Sequence, residues 1–169
     1  MDYSRLLHLL ERDAERIRLL VEGVPTDQAR WRPAPESWSI LEVISHLGDE
    51  EREDFRTRLD IILHRPEEPW PPIDPQGWVT ARKYNERDLG ESLAGFLSER
   101  RDSLAWLRGL ATPNWESVVH SQFGSMRAGD MFCAWVTHDQ LHMRQLVELH
   151  RAYTQELASP YSLEYAGPW

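Results

Sequence analysis

Two histidines, His138 and His142, lie four positions apart in the segment HDQLH. Residues four apart on a helix lie one turn apart on the same face, with their Cβ atoms about 5 to 6 Å apart. Two imidazoles in this arrangement can bind one divalent metal ion at metal–nitrogen distances of about 2.0 to 2.1 Å. The chain has seven histidines, so such a pair also arises often by chance. A third ligand is therefore needed to distinguish a metal site from two histidines packed in the core.

A third histidine, His46, lies in the stretch WSILEVISHLGDEE. On a helical wheel it falls opposite the apolar stripe of its helix. It shares that side with four acidic residues: Glu42, Asp49, Glu50 and Glu53. This position predicts either an exposed histidine on a solvated acidic face or a metal ligand in a polar groove between helices.

Four amphipathic helices are predicted from apolar residues that recur three, four or seven positions apart. The four segments are residues 2–22, 39–64, 89–110 and 127–150. The second begins at a capping box, in which Ser39 and Glu42 each bind a free backbone amide at the helix start. In the third, the wheel turns the leucines inward and SERRD, residues 98–102, outward.

The connections between these helices contain most of the prolines. Residues 25–37 are predicted to be irregular, and residues 65–78 contain five prolines and a glycine, which we expect to exclude a regular helix or a central strand. Residues 112–127 have the composition of a turn or a short hairpin. We therefore expect an all-α fold, a four-helix bundle with long proline-rich connections, forming a single domain over residues 1–169.

Composition excludes several classes of protein. The formal net charge is −9 and no basic patch appears, so we expect no nucleic-acid partner. Cys133 is the single cysteine, which excludes an internal disulfide. No secretion signal and no membrane-spanning apolar stretch are evident, which predicts a cytoplasmic protein without a membrane partner.

The motif RWRPAPESWSILEVISHLGDEE at residues 30–51, followed by HDQLHMRQ at residues 138–145, resembles the DinB-like superfamily. That group includes the YfiT-like proteins and thiol-dependent S-transferases. The resemblance implies a four-helix bundle, often a homodimer, in which three histidines hold a divalent metal ion, commonly nickel or zinc. Carried onto this chain, the three ligands are His46, His138 and His142.

Three neutral imidazoles leave at least one coordination position open, as in catalytic metal sites. A divalent ion there lowers the pKa of bound water or deprotonates a thiol. The resemblance therefore implies a hydrolase or a thiol S-transferase that acts on a small molecule, with a low-molecular-weight thiol as co-substrate in the second case.

Two further residues are candidates for a role in catalysis. Glu50, one turn beyond His46, is a candidate general base or ligand-orienting acceptor, or else a solvated helix carboxylate. Gln145, three residues after His142, is a candidate for orienting a ligand or substrate, or else an ordinary polar residue. Asp139 points about 100° away from His138, so we do not expect it to act as a base.

Three aromatic residues are predicted either to line a pocket or to pack in the core: Trp78, Tyr84 and Trp135. Two other functions also fit the sequence. One is a non-catalytic metal or small-molecule binder in a stress response. The other is a metal-free structural dimer, since the fourth predicted helix is apolar around most of its circumference.

Overall fold

The computed structural model describes residues 1–121 and 124–169. The helices are α1 (Tyr3–Val21), α2 (Thr26–Arg30), α3 (Ile40–Glu50), α4 (Thr57–His64), α5 (Pro75–Ala81), α6 (Leu89–Gly109) and α7 (Ala128–Ala158). A π-helical segment, Glu51–Arg56, joins α3 to α4, so that residues 40–64 form one continuous long helix. Two 3₁₀ turns cover Tyr84–Glu86 and Glu164–Ala166. The predicted four-helix bundle is confirmed: its long helices are α1, residues 40–64, α6 and α7.

The start of α3 is the predicted capping box. The Ser39 hydroxyl accepts from the Glu42 backbone amide at 3.2 Å, and the Glu42 carboxylate accepts from the Ser39 amide at 2.8 Å. Arg32 also donates from Nε to the Glu42 carboxylate, at 2.9 Å. The cap therefore fixes both the beginning of the helix and the connection that precedes it.

Two segments that were predicted to be irregular contain short helices. α2 lies within residues 25–37, and α5 begins inside the proline-rich segment 65–78. Pro75 occupies the start of α5, where its missing amide hydrogen breaks no helical bond, and Asp74 accepts from the Gly77 amide at 2.9 Å. The prediction that prolines exclude a helix there is wrong, because a proline at the first helical position favours one.

The predicted hairpin is also present. Strand β1 (Val118–Ser121) pairs antiparallel with β2 (Gly124–Arg127), and Val119 lies opposite Met126. Residues 122 and 123, between the two strands in the sequence, lie outside the described residues. α7 follows β2 directly and runs to Ala158, beyond the predicted end at His150.

Two groups of buried apolar side chains fill the bundle. The first lies where α3 packs against α1, α6 and the second half of α7; the second lies around α4 and the first half of α7. Each fully buried side chain of this kind contributes about 1.5 to 3 kcal/mol. The largest fully buried apolar and aromatic residues are Trp135, Tyr84, Phe96, Phe132, Leu10, Ile17, Ile40, Leu41, Ile44, Leu59 and Ile62.

Charged side chains are buried in the same interior. Arg100, in the segment predicted to face outward, is 2% exposed, so that prediction is wrong for this residue. A guanidinium is buried only where carboxylates surround it, and a helical wheel cannot show such partners on other helices.

Across the two described ranges, no helix is both long and apolar enough to cross a membrane.

Candidate metal centre

Three histidine side chains from two helices meet inside the bundle. His46 comes from α3, and His138 and His142 lie one turn apart on α7. Nε2 of His142 lies 3.2 Å from Nε2 of His46 and 3.1 Å from Nε2 of His138. One nitrogen of each ring lies within 4.8 Å of the other two, so the three form a cluster that could hold a metal ion.

The spacing of these nitrogens matches what a metal ion needs. Bonds of about 2.0 to 2.1 Å at angles of 90 to 109° separate neighbouring ligand atoms by about 2.8 to 3.4 Å. The two Nε2 distances fall inside that range. No other set of three histidine, cysteine or acidic side chains in the described part of the chain comes together in this way. The residues present therefore fit a divalent metal.

The protonation of the three rings also suits metal binding. Gln145 Oε1 lies 2.8 Å from His142 Nδ1 and accepts its hydrogen, which leaves the lone pair of the ring on Nε2. Burial lowers the pKa of all three histidines, to about 3 for His46 and about 2 for His138, and the neighbouring His142 adds to both of these shifts. The imidazoles are therefore neutral near pH 7, the form in which histidine binds metals.

His46 is almost completely buried, at 4% exposed. Its Nδ1 has no hydrogen-bond partner among the residues that the structure describes. The Trp38 ring covers its imidazole at a centroid distance of 4.8 Å and lies parallel to the His142 ring at 6.4 Å. The alternative of an exposed histidine on a solvated face is wrong.

Glu50 reaches the histidine cluster. Its Oε2 lies 3.4 Å from His138 Nε2 and 3.9 Å from His46 Nε2, and the residue is only 5% exposed. Burial raises the pKa of Glu50 to about 7, with Asp54 adding to the shift and Arg58 opposing it. The alternative of a solvated helix carboxylate is wrong, because this carboxylate borders the point where the imidazole nitrogens converge.

Three consecutive acidic residues around the end of α3 are buried, each against a different partner. Asp49 accepts a hydrogen bond from the Tyr84 hydroxyl at 2.7 Å, Glu50 faces the histidines, and Glu51 binds Arg100 at 2.7 Å. Neighbouring helical residues point about 100° apart, so the three carboxylates cover more than half of the helix circumference. The wheel left open whether Asp49 and Glu50 face solvent or a polar groove, and it gave no role to Glu51; all three are buried.

Glu53, the fourth acidic residue that the wheel placed beside His46, is bound to an arginine. Its carboxylate accepts two hydrogen bonds from Arg82, each at 2.8 Å. Arg82 also donates to Asp49 at 2.7 Å, so Asp49 and Glu53 lie on a common side of the helix, as the wheel predicted.

An open cleft of about 830 Å³ leads from the surface to the histidines. Its wall includes Trp38, Leu141, Gln76 and the polar residues Glu36 and Arg144. Trp38 also lines the cleft, although its place in the sequence did not reveal this, since an aromatic residue before a helix cap also suits a purely structural contact.

The aromatic residues that were considered as pocket walls lie elsewhere. Trp135 and Tyr84 are in the core, at 1% and 0% exposed, and Trp78 stacks against the Arg82 guanidinium. Asp139 points away from the histidines and binds Arg100 at 2.7 Å, as expected from its direction on the helix.

Comparisons with known proteins agree with this picture. The family model of the DinB superfamily matches residues 9–146. YfiT from Bacillus subtilis, described as a probable metal-dependent hydrolase with an unusual four-helix bundle topology, has a similar structure with a TM-score of 0.80. The match covers 90% of this chain and 87% of YfiT at 19% sequence identity, which establishes a common fold. No curated protein sequence matches the chain.

Proposed function

The chain belongs to the DinB superfamily, and from that membership and the histidine cluster we propose that it is a metal-dependent enzyme. In this proposal His46, His138 and His142 would hold one divalent ion, and the chemistry that the ion would supply is the activation of water or a low-molecular-weight thiol for attack on a small electrophile. The description of YfiT as a probable metal-dependent hydrolase supports the same class of chemistry.

The observation that carries the proposal is the convergence of three neutral imidazoles at the bottom of an open cleft. A structural metal site is closed by protein ligands, whereas a catalytic site keeps a position open to substrate or water. The three clustered histidines and the cleft above them support the second arrangement. We propose nickel or zinc as the metal, since imidazole is a favourable ligand for both.

A divalent ion bound there would lower the pKa of water or a thiol towards neutrality. In the proposal, Glu50 accepts the proton that the water or thiol loses, because its Oε2 lies 3.4 Å from a ligand nitrogen and faces the same point. Gln145 holds the His142 ring with Nε2 directed at the Nε2 atoms of His46 and His138. Trp38 and Leu141 provide apolar surface against which a small substrate can pack.

Metal-loaded protein should be tested against panels of ester and amide substrates, and against electrophiles mixed with low-molecular-weight thiols. Turnover in the first panel supports a hydrolase, and turnover that requires a thiol supports a thiol S-transferase. Glu50→Gln should lower turnover by about 10²- to 10⁴-fold while the metal content stays unchanged. Glu53→Gln, on the same helix but bound to Arg82, is the matched control and should retain turnover.

Stoichiometric metal without turnover on any panel would favour the alternative, a non-catalytic metal or small-molecule binder in a stress response. The homodimer implied by the resemblance stays a prediction. It is motivated by apolar side chains exposed on α7, among them Leu141 and Leu157, and sedimentation analysis of the protein would test it.

A further inference from the structure

A buried arginine lies beside the histidine cluster without touching it. The Arg100 guanidinium, in the middle of α6, donates two hydrogen bonds to Glu51, at 2.7 and 2.8 Å, and two to Asp139, at 2.7 and 2.9 Å. A further bond reaches the Leu10 carbonyl on α1, at 2.8 Å. All three charged side chains are at most 2% exposed. One guanidinium thus binds two carboxylates, each through two hydrogen bonds, a bidentate geometry that among the side chains only arginine offers.

The two carboxylates are the chain neighbours of residues in the site. Glu51 directly follows Glu50, and Asp139 directly follows His138. Since adjacent helical residues point about 100° apart, one residue of each pair faces the histidine cluster while its neighbour faces Arg100. Through Glu51 and Asp139, the guanidinium therefore binds both of the long helices that carry the histidines, at positions next to residues of the site.

From this geometry we infer that Arg100 is a positioning residue for the metal site: it fixes the distance and register between the helix of residues 40–64 and α7. The inference rests on the proposed metal-binding function. Apolar residues in place of this buried ion network would cost less desolvation, so the network is better explained by the specific position that it defines than by stability. Directional bonds to two carboxylates define one relative position, and the Trp135 indole of α7 adds a third link by donating to Glu51 at 2.9 Å.

The experiment measures metal affinity and coordination geometry in the substituted protein. Arg100→Lys keeps the positive charge but cannot bind both carboxylates bidentately. We expect its Zn²⁺ affinity, measured by competition with a chromophoric chelator, to fall about tenfold. The visible absorption bands of bound Co²⁺, which report the arrangement of the ligands, should change as well.

Arg56→Lys is the matched control. Arg56 also joins the helix of residues 40–64 to α6, through Glu99 at 2.6 Å and Ser103 at 3.1 Å. Since these bonds do not involve α7, the control should keep its Zn²⁺ affinity within twofold and its Co²⁺ spectrum unchanged. A general loss of stability would affect both variants, whereas an effect on the metal site would change the Zn²⁺ affinity and the Co²⁺ spectrum of Arg100→Lys alone.

Circular dichroism should first establish that each variant is folded. If Arg100→Lys does not fold, Asp139→Asn decides, because it preserves the shape of the side chain while weakening its bonds to Arg100, and it should shift the Co²⁺ bands. Unaltered Zn²⁺ affinity and Co²⁺ spectra in the folded variants would overturn the inference alone. If the unsubstituted protein bound no Zn²⁺, the proposed metal site and the inference would be overturned together.

Discussion

Replacing His46 with leucine is expected to stabilise the metal-free protein. His46 is 4% exposed, and its Nδ1 has no hydrogen-bond partner in the described part of the chain. A buried polar group without a partner costs about 1 to 3 kcal/mol of stability. A protein keeps such a group where function requires it, so removing it should raise the free energy of unfolding.

The magnitude follows from what the substitution removes. Leucine removes the unpaired Nδ1, which should raise the free energy of unfolding by about 2 kcal/mol. It also removes the contact between His46 Nε2 and His142 Nε2 at 3.2 Å, which should lower that free energy by about 1 kcal/mol. The net gain is about 1 kcal/mol, or a rise in Tm of about 2 to 4 °C for a chain of this length. The gain should appear only in the presence of a chelator, because bound metal stabilises the unsubstituted protein by about 2.7 kcal/mol at a hundredfold excess over Kd.

His150→Leu is the matched control on α7. His150 Nε2 donates to the Leu20 carbonyl at 2.7 Å, and its Nδ1 accepts from the Gln28 amide at 3.0 Å. Both nitrogens are satisfied, so this substitution should destabilise the protein by about 2 kcal/mol. Urea unfolding of the three proteins in chelator measures both effects. If His46→Leu were destabilising to the same extent as His150→Leu, His46 would be an ordinary structural histidine and the reasoning would be refuted.

Two further predictions concern the charged residues around the site. Hydrogen bonds from Arg82 lower the pKa of Glu53 to about 2; burial opposes this shift and Arg52 adds to it. The ionised Glu53 side chain therefore stabilises the fold above about pH 4.5, and this stabilisation is lost as the pH falls towards 2. About a third of the Glu53 side chain is exposed, so we discount its contribution to the free energy of unfolding to about 1 to 2 kcal/mol. In urea unfolding, Glu53→Gln should be less stable than the unsubstituted protein at pH 7 and equally stable near pH 2. The same stability difference at both pH values would contradict the prediction. Glu42→Ala removes the carboxylate that caps the helix and that binds Arg32. It should lower the free energy of unfolding by about 2 kcal/mol in the same assay. A decrease below about 0.5 kcal/mol would be inconsistent with a stabilising cap.

Local signals made much of the fold predictable from the sequence. The capping box at Ser39 and the spacing of apolar residues located the long helices, and they did so because both are determined within a few turns. The histidine pair on α7 was predictable for the same reason. α5 was missed because proline was taken only as a helix breaker, although it also favours the first helical position.

The surroundings of the site depend on contacts between distant parts of the chain. The burial of Arg100 requires Glu51 and Asp139 from two other helices, and a wheel of α6 alone places that residue in solvent. The π-helical segment Glu51–Arg56 has no clear signature in the sequence either. The helical periodicity alone could not bring His46 to the other two histidines; the family resemblance supplied that expectation, and the structure brings their side chains together.

Calorimetric titration of Ni²⁺ or Zn²⁺ into protein that carries no histidine tag tests the central claim most directly. The unsubstituted protein should bind one ion per chain, and His142→Ala should abolish tight binding while retaining most of the helical circular dichroism. His64→Ala, which removes a surface histidine bonded to Asp60, should bind like the unsubstituted protein. Unchanged stoichiometry and affinity in His142→Ala would contradict a metal site built from His46, His138 and His142.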